Sequence, residues 1–333
     1  MKLEQMPRYP LLCGFTPLQR MENLEQALGC GPLYIKRDDL TPLGLGGNKT
    51  RKLEFLLGDA LAGGADTLVT VGGVQTNHGR LTAAAAAKAG LACTLVLDGA
   101  RPEKLSGNLL LDCLLGASLV YTDGRSTSAV IEETLAALRV AGRAPYFIPE
   151  GGSNAVGSAG YLAMVPELLA QADSLPVPPA RLVCTMGSLG TFAGLWLGAR
   201  AFGAPFSVTG VAVNPTTGYT REKAAALVNE MSAAYGLDIA AAPEDIDIIY
   251  ADAAHDYAGP GYNVPDAKTR GAVELLARTE GIFLDPCYTA KSFRGFCDIA
   301  RELDGGAIFV HTGGTPALWT QEHLDAFAAD YWN

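Results

Sequence analysis

The sequence predicts an α/β protein of two domains, built from parallel-rich twisted sheets with helices on both faces. Length is the first reason, because 333 residues are enough for two domains of ordinary size. The second reason is the alternation of short β-rich runs with stretches of helical apolar spacing through almost the whole chain. The third is that glycine-rich loops follow several β-rich runs, which is where open α/β sheets bind ligands.

Each predicted strand is a short apolar run, and each predicted helix has apolar residues three and four positions apart. We expect strands at residues 33–36, 67–71, 93–97, 118–121, 146–148, 182–185, 208–213 and 307–310. We expect helices after residue 49 and at 79–88, 109–115, 128–140, 158–170, 189–201, 223–235, 267–278 and 291–302. Three prolines within residues 174–179 indicate a surface connection.

Composition excludes several classes of partner. Lysine and arginine number 25 against 35 aspartate and glutamate, a formal net charge of −10, so neither a nucleic-acid nor a membrane-surface partner is expected. Residues 1–8 contain no long apolar segment, and no secretory signal is predicted. The 7 cysteines form no C-x-x-C pair, so we expect a cytoplasmic protein without a disulfide framework or a metal site.

A glycine-rich stretch, residues 44–47, leads into the helix predicted after Lys49. Because glycine lets the backbone approach a ligand closely, Lys49 is a candidate for holding a cofactor. The alternative is a basic residue at the start of a surface helix. The stretch is not a nucleotide-binding P-loop, since Asn48 occupies the glycine position before the lysine.

Three further loops carry groups that bind anions or face a ligand. Residues 72–78 begin a predicted helix, whose N–H groups and dipole favour a carboxylate, although plain capping by Thr76 or Asn77 would give the same pattern. Residues 186–191 combine glycines with hydroxyls and can form a phosphate-binding nest, or an ordinary tight turn. The segments 285–289 and 311–315 add hydroxyl groups at Tyr288, Thr289 and Thr312.

A positioned lysine, a phosphate-binding loop and a carboxylate-binding helix start are what an enzyme that uses pyridoxal phosphate on an amino acid requires. In this order the motifs resemble the D-cysteine desulfhydrase and 1-aminocyclopropane-1-carboxylate deaminase family of fold-type II pyridoxal phosphate enzymes. The resemblance covers nearly the whole chain through residues 34–39, 46–55, 75–78, 187–191, 285–289 and 311–314.

The resemblance implies a tryptophan synthase β-like fold, a small amino-acid substrate and a homodimer. Residues 1–47 and 161–333 would form the large domain and residues 48–160 the smaller one, with the cofactor in the cleft between them. Lys49 would form a Schiff base with pyridoxal phosphate, and Asn77 would hydrogen-bond its ring hydroxyl.

The remaining candidate residues also take their roles from the resemblance. Thr312, with Thr289 close by, would approach the pyridine nitrogen. The cofactor phosphate would be held by Lys52, Gly187, Ser188, Leu189, Gly190 and Thr191. The substrate side would be formed by Thr76, Asn77, His78, Tyr262 and Tyr288. Thr76 and Tyr288 join Lys49 as catalytic candidates.

Three positions matter for the choice of family member. Thr76 stands where the family usually has serine, and its extra methyl would narrow the carboxylate pocket. Leu189 stands where glycine is common in the phosphate loop, so its side chain must point away. Thr289 stands where the deaminases have glutamate near the pyridine nitrogen. A neutral hydroxyl cannot keep that nitrogen protonated, which favours an easier elimination over cyclopropane ring opening.

The expected reaction is therefore β-elimination from a small 3-substituted amino acid. Lys49 would remove the Cα proton, and Tyr288 would assist the leaving group. D-Cysteine desulfhydrase activity, which gives pyruvate, sulfide and ammonia, is the first prediction. The alternatives are L-cysteate sulfo-lyase activity, which releases sulfite, 1-aminocyclopropane-1-carboxylate deaminase activity, and a non-catalytic protein that binds pyridoxal phosphate.

Overall fold

The computed structural model describes residues 3–213, 220–250 and 255–332, and the strands of these residues form two sheets. The larger sheet has the spatial order β1 (Leu18–Arg20), β2 (Leu33–Lys36), β10 (Gly306–Val310), β7 (Pro179–Met186), β8 (Ser207–Ala212) and β9 (Asp247–Ile249). The smaller sheet has the order β5 (Ser118–Tyr121), β4 (Ala92–Asp98), β3 (Thr67–Gly73) and β6 (Pro145–Ile148). Among these strands β1 and β2 pair antiparallel, and the other pairs are parallel.

Helices cover the sheets. In the first half of the described chain they are α1 (Glu22–Leu28), α2 (Lys49–Ala62), α3 (Asn77–Ala89), α4 (Gly107–Leu114), α5 (Thr127–Val140) and α6 (Ala155–Leu162). In the second half they are α7 (Met164–Ala172), α8 (Leu189–Ala201), α9 (Arg221–Tyr235), α10 (Ala267–Glu280), α11 (Thr289–Glu302) and α12 (Gln321–Trp332). Within the described residues, none of these helices combines the length and the apolar character that crossing a bilayer requires.

The predicted fold class is confirmed, because parallel-rich sheets lie between layers of helices. β10 is buried along its whole length, as expected for a central parallel strand with both faces covered. One apolar core lies under α6, α8 and α9, a second under α10 and α11, and a third under α2 and α3.

Most predicted elements differ from the structure by one to three residues at an end, and two predicted segments differ in more than that. The helix predicted over residues 158–170 is two helices, α6 and α7, which meet at Ala163. Pro166 lies in the first turn of α7, where its missing N–H is tolerated but cannot continue the hydrogen-bond ladder of α6. The proline-rich segment predicted as a connection over residues 174–179 overlaps β7, whose first residue is Pro179. Proline is tolerated at the first position of a strand.

Among the strands and α-helices of the described residues, the sequence does not predict β1, β9, α1 and α12. The two strands are three residues long and mix polar with apolar residues, so they lack a recognisable period. The smaller sheet spans residues 67–148, and the strands of the larger sheet lie outside residues 48–160. The domain boundaries themselves, at 47/48 and 160/161, stay a prediction.

Candidate active site

The carboxyl ends of parallel strands and the start of α2 surround one cavity. β3 leads into α3, β7 leads into α8, and β10 leads into the loop 311–314. Of the predicted site residues, the cavity is lined by Lys49, Thr76, Asn77, His78, Gly187, Ser188, Thr191, Tyr288 and Thr312. The other predicted residues, which do not line it, are Lys52, Leu189, Gly190, Tyr262 and Thr289.

Lys49 is the first residue of α2, and a sharply turning loop delivers it to the cavity. Leu45, Gly46 and Gly47 have φ angles of 66°, 75° and 133°. A Cβ atom at Gly46 would lie 1.8 Å from the carbonyl oxygen of Asp39, so only glycine fits there. The glycine stretch is therefore needed to bring the chain into the first turn of the helix.

The environment of Lys49 favours its neutral amine. Burial lowers the pKa of Lys49 to about 8, although the carboxylates of Glu150 and Asp285 act in the opposite direction. Its Nζ atom lies 3.2 Å from Oδ1 of Asn48. An amine that loses its proton near neutral pH is suited both to attack on a carbonyl carbon and to removal of a proton.

A buried ionic network anchors α2. Arg51 donates from Nε to Oδ2 of Asp38 at 2.8 Å and from Nη1 to Oε2 of Glu167 at 2.9 Å. The Tyr161 hydroxyl donates to the same Asp38 oxygen at 2.6 Å, and Arg51 also donates to the Thr16 hydroxyl at 2.9 Å. Because several acceptors surround the guanidinium, the helix that begins with Lys49 is fixed against α6 and α7.

Lys52 lies beneath the loop predicted to bind phosphate. Its Nζ atom donates to the carbonyl oxygen of Gly151 at 3.0 Å, and a Cβ at Gly190 would lie 2.8 Å from it. The backbone N–H of Gly190 donates to the Ser153 hydroxyl at 3.1 Å. The Leu189 side chain packs against the core beneath α8, so it points away from the cavity as expected.

Thr76 caps the N-terminus of α3. Its hydroxyl accepts a hydrogen bond from the Gly79 N–H at 3.2 Å, and its methyl carbon lies 2.5 Å from where a Cβ on Gly79 would be. The methyl group that Thr76 has and serine lacks is thus accommodated because Gly79 carries no side chain. His78 bonds Thr70 through Nε2 at 2.8 Å, and burial followed by the nearby Lys49 charge lowers its pKa well below the usual value. The histidine is therefore neutral.

Tyr288 lines the cavity, and Tyr262 supports it. The two rings are in edge contact with centroids 5.9 Å apart. A Cβ at Gly187 would lie 2.7 Å from the Tyr288 ring, so a glycine is required for this packing. Burial raises the pKa of Tyr288, and a hydrogen bond with the Tyr262 hydroxyl partly offsets this effect. Tyr288 is consequently a neutral phenol with a proton to donate.

Thr289 and Thr312 occupy different environments. The Thr289 hydroxyl, fully buried, donates to Oδ1 of Asp285 at 2.7 Å and accepts from the Asp285 N–H at 2.7 Å. Thr312 lines the cavity directly. Thr289 is therefore engaged with Asp285 outside the lining, and its predicted contact with a pyridine nitrogen stays a prediction.

Four residues of the site region had no assigned role in the sequence-based prediction: Glu150, Asp285, Asn108 and Arg51. Glu150 lines the cavity, and Asn108 donates to the Asn77 side chain from α4. Asp285 and Arg51 lie inside motifs that carry the family resemblance, and those motifs could have indicated that the two residues belong to the site. The sequence around Glu150, which precedes Gly151, does not indicate a role in the site. The same holds for Asn108, which lies in an ordinary helical pattern.

Residues 10–313 match the family model described as pyridoxal-phosphate dependent enzyme, and the chain belongs to this family. It is a pyridoxal phosphate-dependent lyase, as the resemblance implied. The D-cysteine desulfhydrase of Yersinia enterocolitica is 41% identical over 328 residues, covering 96% of this chain and 97% of the relative. That of Klebsiella pneumoniae is 41% identical over 327 residues, covering 95% and 97%. A Pyrococcus abyssi protein provisionally named 1-aminocyclopropane-1-carboxylate deaminase is 39% identical, covering 95% and 94%.

Solved structures agree with this assignment. A crystal structure of an ACC deaminase homologue superposes with a TM-score of 0.88 at 36% identity, covering 98% of this chain and 97% of the other. A fungal L-serine ammonia-lyase from Rhizomucor miehei superposes with a TM-score of 0.65 at 18% identity, covering 96% and 98%. The second likeness supports the fold alone.

The residues around the cavity fit pyridoxal phosphate. The N-terminus of α8, with the hydroxyls of Ser188 and Thr191 in the lining, suits a phosphate group. Lys52 is a buried amine for which no described carboxylate provides an ion pair, so a bound anionic group would stabilise its charged form. Lys49 lies in the same lining, where a lysine could reach an aldehyde.

Proposed function

We propose that this protein is a D-cysteine desulfhydrase, which converts D-cysteine and one water molecule to pyruvate, hydrogen sulfide and ammonia. One observation carries the proposal: Lys49 and Tyr288, a base and an acid, line one cavity together with the N-terminus of α3. The 41% identity to the Yersinia and Klebsiella desulfhydrases over nearly the full length supports this member of the family.

Each step of the proposed elimination is assigned to a side chain or to the N-terminus of a helix. Pyridoxal phosphate, when bound, supplies the electron sink that makes loss of the Cα proton feasible. The N-terminus of α3, capped by Thr76, binds the substrate carboxylate. Lys49 takes the Cα proton as a neutral amine, which its pKa of about 8 favours. Tyr288 donates its proton to the departing sulfur, because burial raises its pKa and keeps it protonated.

The cofactor-side roles are part of the same proposal. Lys52 would balance the phosphate charge, and the loop residues Gly187 to Thr191 at the start of α8 would hold the phosphate. Asn77 would donate to the ring oxygen, and Thr312, which lines the cavity, would be the residue for the pyridine nitrogen. Tyr262 holds Tyr288 in its edge contact.

Charge in the cavity separates a thiol substrate from a sulfonate. Glu150 lines the cavity, and among its described lining residues there is no arginine that could pair with a sulfonate. The Lys49 amine is committed to the cofactor, and burial lowers its pKa, so it is not available to pair with a sulfonate. A second anion on the substrate would therefore meet a carboxylate without a compensating charge. This disfavours L-cysteate sulfo-lyase activity.

Deaminase activity is the second candidate, because the ACC deaminase homologue superposes with a TM-score of 0.88. Thr289 argues against it. The deaminases carry a glutamate at this position, whereas the hydroxyl of Thr289 is engaged with Asp285. Cyclopropane ring opening needs the stronger electron sink that a nearby ionised carboxylate would maintain.

A substrate panel tests the proposal. Purified holoenzyme is given both enantiomers of cysteine, L-cysteate and 1-aminocyclopropane-1-carboxylate, and sulfide, sulfite, ammonia and the 2-oxo acid are measured. We expect equal amounts of sulfide and pyruvate from D-cysteine, with the highest kcat/KM of the panel, and none from Lys49→Ala. A preference for cysteate or the cyclopropane substrate would overturn the proposal.

We further propose that the protein is a cytoplasmic homodimer. Its free cysteines suit a reducing compartment, and the dimer follows from the family resemblance. Light scattering coupled to size-exclusion chromatography measures the mass in solution. A mass of one chain, 34.8 kDa, would contradict the dimer.

A further inference from the structure

Asn108, a fully buried residue in the first turn of α4, contacts the Asn77 side chain from outside the cavity. Its Nδ2 atom donates to the backbone carbonyl oxygen of Gln75 at 2.8 Å and to Oδ1 of Asn77 at 2.9 Å. The backbone N–H of Asn108 donates to Oε1 of Gln75 at 2.9 Å. Three hydrogen bonds thus join the start of α4 to the loop before α3.

These contacts fix which atom each amide presents. The two ends of an asparagine amide look alike in shape, so their assignment must come from the hydrogen-bond partners. The Gln75 backbone carbonyl accepts but cannot donate, so the group of Asn108 that faces it must be the NH₂ group. The second hydrogen of that NH₂ group then requires an acceptor on Asn77, which is its Oδ1 atom.

The consequence appears on the other side of the Asn77 amide. With Oδ1 held by Asn108, Nδ2 of Asn77 is the group left for the cavity, which Asn77 lines. This Nδ2 atom lies 2.9 Å from the position that a Cβ on Gly314 would take, in a space that only glycine leaves free. Among the described residues, no hydrogen bond uses the Asn77 NH₂ group.

We infer that Asn108 is a positioning residue: it locks the Asn77 amide so that this side chain presents only its NH₂ donors to the cavity, and it thereby favours the deprotonated, acceptor form of the cofactor ring oxygen. The inference rests on the proposed function for the identity of the cofactor. Its test uses cofactor binding, which does not depend on which substrate is turned over.

The central experiment is a double-mutant cycle on cofactor affinity, with Asn108→Leu, Asn77→Ala and the combined variant. We measure the dissociation constant of pyridoxal phosphate by titrating apoenzyme, and the pH midpoint of the bound cofactor's absorbance change. Losing a hydrogen bond to a charged oxygen weakens binding roughly tenfold or more. We expect that loss in Asn108→Leu, together with a midpoint at higher pH, because the deprotonated oxygen loses its donor.

A positioning role and a merely structural role give different results. If Asn108 acts through Asn77, the combined variant binds the cofactor no more weakly than Asn77→Ala alone. Asn229→Leu is the control, since Asn229 bonds the backbone of Ala241 in a similar way from α9. It should leave affinity and midpoint unchanged.

Asn108→Asp keeps the size of the side chain and covers the case in which the leucine variant does not fold. A carboxyl group has at most one proton to donate, so it cannot hold both the Gln75 carbonyl oxygen and Oδ1 of Asn77, and the Asn77 amide is then free to turn and expose Oδ1 to the cavity. We expect cofactor affinity to fall as far as in Asn77→Ala, with the same upward shift of the midpoint. Additive losses in the cycle, or wild-type affinity and midpoint in the aspartate variant, would overturn the inference. Absence of sulfide release with these binding results intact would count against the proposed function alone.

Discussion

The Nζ atom of Lys52 donates to the carbonyl oxygen of Gly151 at 3.0 Å, and among the described residues no carboxylate forms an ion pair with this lysine. Burial first, and then the nearby charge of Lys49, lower the pKa of Lys52 well below its usual value. A buried amine whose partners in the described part of the chain are one carbonyl oxygen and the more distant Ser153 hydroxyl, at 3.5 Å, is a costly arrangement in the absence of an anion. We read it as one half of an ion pair whose other half is the cofactor phosphate.

Replacing Lys52 by methionine should change apoenzyme and holoenzyme in opposite directions. Without cofactor, an apolar side chain of similar length fits the buried position at least as well, so the free energy of unfolding should rise or stay constant. With cofactor, the lost phosphate contact should weaken binding roughly tenfold or more. Urea unfolding of both forms and titration of apoenzyme measure the two effects. A strongly destabilised apoenzyme would show that Lys52 is structural.

The lowered pKa of Lys49 predicts how fast apoenzyme captures its cofactor at different pH values. The neutral amine reacts, and its fraction rises as pH increases through the pKa of about 8. Stopped-flow absorbance from pH 6 to pH 10 should therefore give a midpoint near 8. In Glu150→Gln the midpoint should move lower, because a carboxylate that favours the charged amine is gone. A midpoint at the ordinary lysine value would contradict the buried environment.

Arg51→Met should be among the most destabilising substitutions near the site. It leaves the carboxylates of Asp38 and Glu167 buried without their shared partner, a change that typically costs about 3–5 kcal/mol. Arg125→Met is the matched control, since its ion pair with Glu133 is exposed and should contribute about 1 kcal/mol or less. Urea unfolding compares both variants with wild type. Equal losses in the two would mean that the buried network does not anchor α2.

Glu150→Gln should relax the discrimination against a sulfonate. Removing this carboxylate from the cavity lining should raise kcat/KM for L-cysteate about fivefold, the effect of roughly 1 kcal/mol. The value for D-cysteine should change little, because its side chain is uncharged as a thiol. Glu133→Gln, on the exposed surface of α5, is the control. An unchanged ratio of the kcat/KM values for L-cysteate and D-cysteine would show that Glu150 does not contribute to substrate specificity.

The sequence was sufficient for the fold class and for the loops that line the cavity. Lys49, Thr76 and Tyr288 each stand in a local pattern in which a glycine-rich or polar loop precedes a helix, and such a pattern is visible without tertiary information. The loops at residues 72–78, 186–191 and 311–315 each follow a predicted strand, and this placement predicts that they meet at one edge of the sheets. The cavity does bring the three residues together.

The supporting contacts could not be predicted because they join distant parts of the chain. Arg51 and Glu167 are separated by 116 positions, and Asn108 and Asn77 by 31. Nothing in the sequence near Asn108 distinguishes it from a polar residue on a helix surface. Likewise, the position of Thr289 behind Asp285 depends on the turn that begins α11, which the motif alone does not define.

The identity of the lysine that binds the cofactor is the central claim, and borohydride reduction followed by peptide mapping tests it most directly. Reduction makes the bond between lysine and cofactor permanent, so mass spectrometry can locate the pyridoxyl group. The account predicts one pyridoxyl group per chain, on Lys49, and an unlabelled Lys49→Ala variant. A label on Lys52 or on any other lysine, with Lys49 unmodified, would contradict it.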